Sequence, residues 1–262
     1  MGELAAYSTE TFWAFIQVFA RVTALFHTAP VFGATEVPRQ VKVGLSAIIS
    51  FVLVPIVKPS LGHTVPPTLY ATVAMLVGQI VIGLAIGYIV SLLFDSVRVA
   101  GNILDYQMGF TQAALFNPQF GEAVTPIANF QYQYAIVLYL LANGHWLLIA
   151  ALQKSFLALP ISKFTFGQHA VDTFVTATFQ MLVTGLEIVA PAAAVLLITD
   201  VAFAFLNRAV PQMQVYFVGM PVKVMVGLGV FIIILPFFTA VVSGLVMQST
   251  NNVFSVLNGM HK

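Results

Sequence analysis

The 262-residue chain carries ten Lys and Arg and nine Asp and Glu, 7% of its residues, against 60% hydrophobic residues. Soluble domains are about 25% charged, so at a mean hydropathy of +0.96 this surface would leave large apolar patches facing water. A net charge of +1 without a basic run excludes a phosphate-binding footprint, and the lack of cysteine excludes disulfides, thiolate metal sites and cysteine nucleophiles. Most of the surface must meet lipid, apolar partner subunits, or both.

The chain opens MGELAAYSTETFW, with Glu3 and Glu10 but no Lys or Arg. A cleaved leader needs a basic start, so this segment is expected to be retained, with the first apolar stretch acting as the insertion signal. That stretch, Phe12 to Phe32, is interrupted by Arg21 and His27. Val43 to Val57 is the second, and its 15 residues are short of the roughly 20 a spanning helix needs. Leu69 to Phe94 runs 26 residues without a charge, a helix of roughly 39 Å that can cross a bilayer with tilt.

A polar interlude, residues 95–129, follows. Val97, Ala100, Ile103 and Leu104 share one helical face, away from Asp95, Arg98 and Asp105, which predicts a short amphipathic helix. Gly109, Pro118, Gly121 and Pro126 then punctuate a predicted loop. Met108, Phe110, Leu115, Phe116 and Phe120 are unusually apolar for such a segment. They suit either a re-entrant loop packed on its own helices or a flexible hydrophobic seal lining a pore.

Tyr132 to Leu152 is the next apolar helix, with Asn143, Gly144 and His145 at its middle. After a polar stretch comes Phe174 to Leu206, where Pro191 predicts a kink or break near Ala190. Val222 to Met247 is the last run, with Pro236 inside it. The pattern is all-α, five to seven membrane-type helices in one continuous unit over 1–262, without repeats.

Charge does not orient these helices. With six spans and the amino terminus outside, five Lys and Arg lie on one side and four on the other, which is no positive-inside bias. A plain multi-span transporter usually declares its topology more clearly.

His27, His63, His145, His169 and His261 form no short zinc pattern, and the chain has no P-loop, nucleophile elbow or dinucleotide fingerprint. No enzymatic activity, cofactor or metal is therefore expected. Arg21, Glu187, Asp200 and Lys223 lie inside or beside apolar runs. They are candidates either for buried ion pairs and snorkelling side chains or for a proton pathway. Gly83 and Gly87 form a small-xxx-small pair that permits close helix approach.

Several segments in order resemble the FliR family, the R-type subunit of the flagellar export gate, which has an injectisome homologue. They are RVTALFHTAPVFGATEVPRQVKVGLS (residues 21–46), AGNILDYQMGF (100–110) with NPQFG (117–121), ANGHWLLIAALQKSFLALP (142–160), and NRAVPQMQVYFVGMPVKVMVGLG (207–229). The VGMPVK run is more flagellar than injectisome-like. One departure is Gln214, Val215 and Tyr216 where the family often has Asn-Val-Phe.

The resemblance implies a structural, pore-forming subunit acting with P-type and Q-type subunits and other export-apparatus membrane proteins. It implies helical hairpins stacked into a helical hetero-oligomer in the bacterial inner membrane at the flagellar basal body. Unfolded flagellar proteins would pass through it, and lipid but no nucleic acid would be a partner. A central loop plugs the closed pore in such complexes. It maps to about Tyr106 to Gln119, with Met108, Phe110 and Phe116 as expected gasket contacts. The competing reading is a secondary transporter or channel with a substrate or ion site at the broken Pro191 helix.

Overall fold

The computed structural model describes residues 2–34, 37–61, 68–111, 125–158, 168–210 and 215–259. Within these, seven helices are α1 (Gly2–Thr28), α2 (Arg39–Leu61), α3 (Leu69–Met108), α4 (Pro126–Leu141), α5 (Gly144–Ala158), α6 (Gln168–Ala209) and α7 (Val215–Gly259). No strand occurs among the described residues. The all-α expectation holds. Four helices are long and apolar enough to cross a membrane, over Arg39–Lys58, Leu69–Met108, Val171–Ala209 and Gly219–Ser249, and the bent α4–α5 pair makes up to five.

Several boundaries differ from the sequence reading. α2 has 23 residues because Arg39 and Lys58, which bracket the apolar run, are accommodated at its ends. Lys58 Nζ donates to Thr11 Oγ1 at 2.8 Å, so its head reaches across to α1. α3 does not stop at Phe94 but runs 40 residues, to Met108. Nothing between them breaks a helix, and Arg98 and Asp105 find partners on the neighbouring helix, so polarity there does not end the helix.

The predicted Tyr132–Leu152 helix is instead two, bent by 68° between α4 and α5. Asn143 takes φ 56° at that bend, a left-handed conformation that Asn tolerates better than most residues. The break expected at Pro191 is absent, since α6 is continuous over 42 residues. Pro removes one backbone bond and strains one turn, which the remaining turns of a 42-residue helix can carry. The broken helix on which the transporter reading rested does not exist in this fold.

The chain forms two compact units, Met1–Leu92 with Asn143–Thr178 and Val246–Lys262, and Leu93–Ala142 with Phe179–Leu245. In the first, α1 and α2 form a hairpin whose turn is tight. Phe32 N–H donates to the Pro30 carbonyl at 2.9 Å with Val31 at φ 71°, a costly conformation for a β-branched residue.

α3 packs parallel to α1 because two glycines allow it. A Cβ at Gly83 would strike the Arg21 carbonyl and Ala24, and one at Gly87 would strike Thr28. Between these helices Arg21 is fully buried. Its Nε donates to Gln79 Oε1 at 2.6 Å and Nη1 to Ser155 Oγ at 2.9 Å, while the guanidinium lies 4.0 Å from the Phe156 ring centroid. Gln79 in turn donates to Gln17 Oε1 at 3.3 Å.

In the second unit the C-terminal part of α3, from Leu93, and all of α4 form an antiparallel hairpin. Its contacts step down both helices. Phe94 meets Tyr139 and Tyr132 edge-on at 5.4 and 5.8 Å. The Arg98 guanidinium then stacks over Tyr132 at 4.4 Å, and Gly101 abuts Ala128 so closely that a Cβ would meet its backbone. α7 packs on α4 through Phe130–Phe231 at 5.8 Å and a Tyr134–Thr239 hydroxyl bond of 3.0 Å.

Candidate functional site

The α3–α4 hairpin presents the base of the apolar loop. α3 ends at Met108 because Gly109 takes φ 91° and donates its N–H to the Tyr106 carbonyl at 3.1 Å, the left-handed glycine that commonly terminates a helix. α4 starts with a proline, and its N-cap Thr125 makes no side-chain capping bond. The cap comes from the neighbouring helix. The fully buried Asp105 accepts from Ile127 N–H on Oδ1 at 3.0 Å and from Ala128 N–H on Oδ2 at 2.9 Å.

This one carboxylate satisfies two otherwise orphaned donors at the positive end of α4. It also ties the start of the loop to its end. The chain that leaves at Gly109 must return to within one side chain of where it left. Sequence reasoning treated Asp105 only as part of a polar face. The available signal was an acid preceding a glycine stop, with a proline start some twenty residues beyond.

Beside this clasp lies a cleft of about 500 Å³ lined by Tyr106, Gln107, Met108 and Gly109 with residues of α6 and α7. Met108 is 1% exposed, and its thioether packs on α7 where Gly227 leaves room. Gln107 Oε1 is buried without a partner among the described residues, and Tyr106 is exposed. Across the cleft Lys223 Nζ and Asp200 Oδ1 pair at 2.6 Å.

Each expected site residue can now be placed. Met108, expected at the gasket, is an anchor in the helix core of this chain. Phe110 is half-buried just past Gly109. Phe116 lies outside the described residues, as does the loop over 112–124.

The three charges of the second unit do not converge into one group. Asp200 and Lys223 do pair, but their side chains are 54% and 19% exposed, so the pair is not a buried one. Glu187 is exposed on α6, and Arg21 belongs to the other unit. Gly83 and Gly87 both sit at a close helix crossing.

The family model for bacterial export proteins, family 1, matches residues 12–249. The chain belongs to the FliR family. The flagellar biosynthetic protein FliR of Pectobacterium carotovorum subsp. carotovorum is 32% identical over 89% of this chain and 87% of its own length. That of Escherichia coli (strain K12) is 31% identical over 86% and 84%, and that of Bacillus subtilis (strain 168) is 29% identical over 94% and 92%. The family match spans both compact units and runs through the Asp105 clasp.

Proposed function

We propose that this chain is the structural, pore-forming R-type subunit of the flagellar type III export gate, through which unfolded flagellar proteins leave the cell. The observation that carries the reading is the FliR-family match over residues 12–249, joined to a loop whose two ends are pinned together by Asp105. Its partners are P-type and Q-type subunits and other membrane proteins of the export apparatus, and its place is the inner membrane at the flagellar basal body.

The mechanism is mechanical rather than catalytic. Residues 110–119 form the plug, hinged at Gly109, with Phe110 and Phe116 as gasket contacts and Met108 as the anchor that fixes the hinge to α7. A ring of bulky apolar side chains stops ions because hydration water cannot enter a narrow apolar gap. A substrate chain displaces the plug, and the clasp supports its return to one position. The driving energy comes from other parts of the apparatus.

Co-purification tests the assignment. A tag on this chain should bring down P-type and Q-type proteins in one large particle of defined mass. A stable solitary chain, with neither partner bound in mild detergent, contradicts it.

A further inference from the structure

We propose that the groove between α1, α2 and α3 is a binding site for one anionic phospholipid. It has a volume of about 660 Å³, within the usual range for a small-ligand pocket. Its cationic groups gather at one end, where α1 finishes and α2 begins. His27 and Arg39 there are exposed, and Lys42 is half-buried, donating to the Gly33 carbonyl at 2.9 Å. Among the described residues no acidic side chain lines the groove, and the first turn of α2 contains none. Leu76 and Ile80 of α3 form part of the apolar body.

Polarity along the groove matches a lipid from head to tail. The cations stand where a phosphate would sit, as in basic pockets between membrane helices that hold lipid headgroups. One helical turn inward, Thr23 lines the groove, and its buried Oγ1 has no partner among the described residues. It is placed to donate to an ester oxygen at the level of the glycerol. Further along, the face of Ile80 continues through Val77 and Val73, all exposed on α3 and spaced three and four residues apart. An acyl chain would lie along that row.

α2 and α3 are both long and apolar enough to cross a membrane, so bilayer lipid is the occupant nearest at hand. A partner helix would need its single acidic group at the cationic end and an apolar face elsewhere. One lipid supplies both together with the hydrogen-bond acceptor that Thr23 requires. The proposal is independent of the plug, since a tight or leaky pore leaves the groove unchanged.

The test uses the purified export complex in neutral detergent, exposed to phosphatidylglycerol carrying a photoreactive acyl chain or to its phosphatidylcholine analogue. Phosphatidylglycerol should label peptides around Leu76–Ile80 and Thr23, and Arg39→Gln with Lys42→Gln should lower that labelling about tenfold or more. Ile80→Trp, which fills the groove and leaves the cations in place, should abolish it even if the double charge variant fails to assemble. Equal labelling by phosphatidylcholine, labelling unaffected by Ile80→Trp, or labelling confined to partner subunits would each overturn the proposal.

Discussion

Arg21 bears a charge that is never neutral in a protein, and none of its surface is exposed. It is held by an amide, a hydroxyl and an aromatic face, a set that fits the planar guanidinium and not an ammonium. Arg21→Ala should cost about 2–3 kcal/mol by taking from Gln79 Oε1 and Ser155 Oγ the donor they share in the core. Arg21→Lys should recover little of it. Thermal unfolding of the purified complex would check both, and full rescue by Lys would point to charge alone.

Asp105→Ala strips two N–H groups at the start of α4 of their shared acceptor and should cost about 1–3 kcal/mol. Asp105→Asn keeps one acceptor and should cost less. Hydrogen exchange at the Ile127 and Ala128 amides is the direct readout, since those donors alone would gain exchange. Asp200 differs because its ion pair with Lys223 is largely solvated. Asp200→Asn should change stability by only about 0–1 kcal/mol and leave export running. Lost export in a fully assembled complex would revive the proton-pathway reading.

At the scale of elements, glycines decide how closely helices approach, and their substitutions should rank by what the new methyl meets. Gly101→Ala meets the Ala128 backbone and Gly83→Ala the Arg21 carbonyl. Neither can yield, so overpacking should cost about 1–3 kcal/mol each. Gly227→Ala meets only the side chain of Met108, which can change rotamer, and should cost less. Melting temperatures of the three variants in the same complex test this order.

Pro191→Ala should leave export unchanged, because α6 already runs through that position. Loss of transport with intact assembly would restore the idea of a site at a broken helix.

These elements also show what the sequence could disclose. Apolar runs mark helices well, since burial in lipid or protein demands them whatever the partner. Charge within a run does not end a helix when a neighbour can take it up. Arg98 over Tyr132 and Asp105 on the α4 amides are such cases, and both lie in the stretch expected to form a separate short helix. Pro191 does not break α6, because one lost backbone bond is a small part of a 42-residue helix. The 68° bend fell at Asn143, whose tolerance for positive φ was on view but whose turn depends on the surrounding helices. The clasp at Asp105 was not legible. A contact between residues 105 and 127 leaves no local pattern.

At the scale of the whole molecule, the low charge content corresponds to long bare helices. α3, α6 and α7 have 40, 42 and 45 residues, roughly 60–68 Å at 1.5 Å per residue, about twice the 30 Å of a bilayer core. α6 and α7 are little buried within this chain along their apolar stretches, 22% and 17%, with Phe179, Phe205, Met225 and Ile233 all exposed. Helices longer than the membrane and apolar beyond it need partner subunits as well as lipid. The chain expressed without them should aggregate or be degraded, and co-expression with P-type and Q-type subunits should raise its half-life several-fold in a pulse-chase experiment.

The central claim is that a loop clasped at its base closes a protein-conducting pore. Gln107 and Met108 belong to the helix core, so the informative deletion begins beyond Thr111 and removes residues 112–119. Ion conductance of the assembled complex in planar bilayers measures its effect. The account predicts open, leaky channels from the deletion and silent ones from the intact complex, at equal subunit content. Equally silent bilayers from both would contradict it.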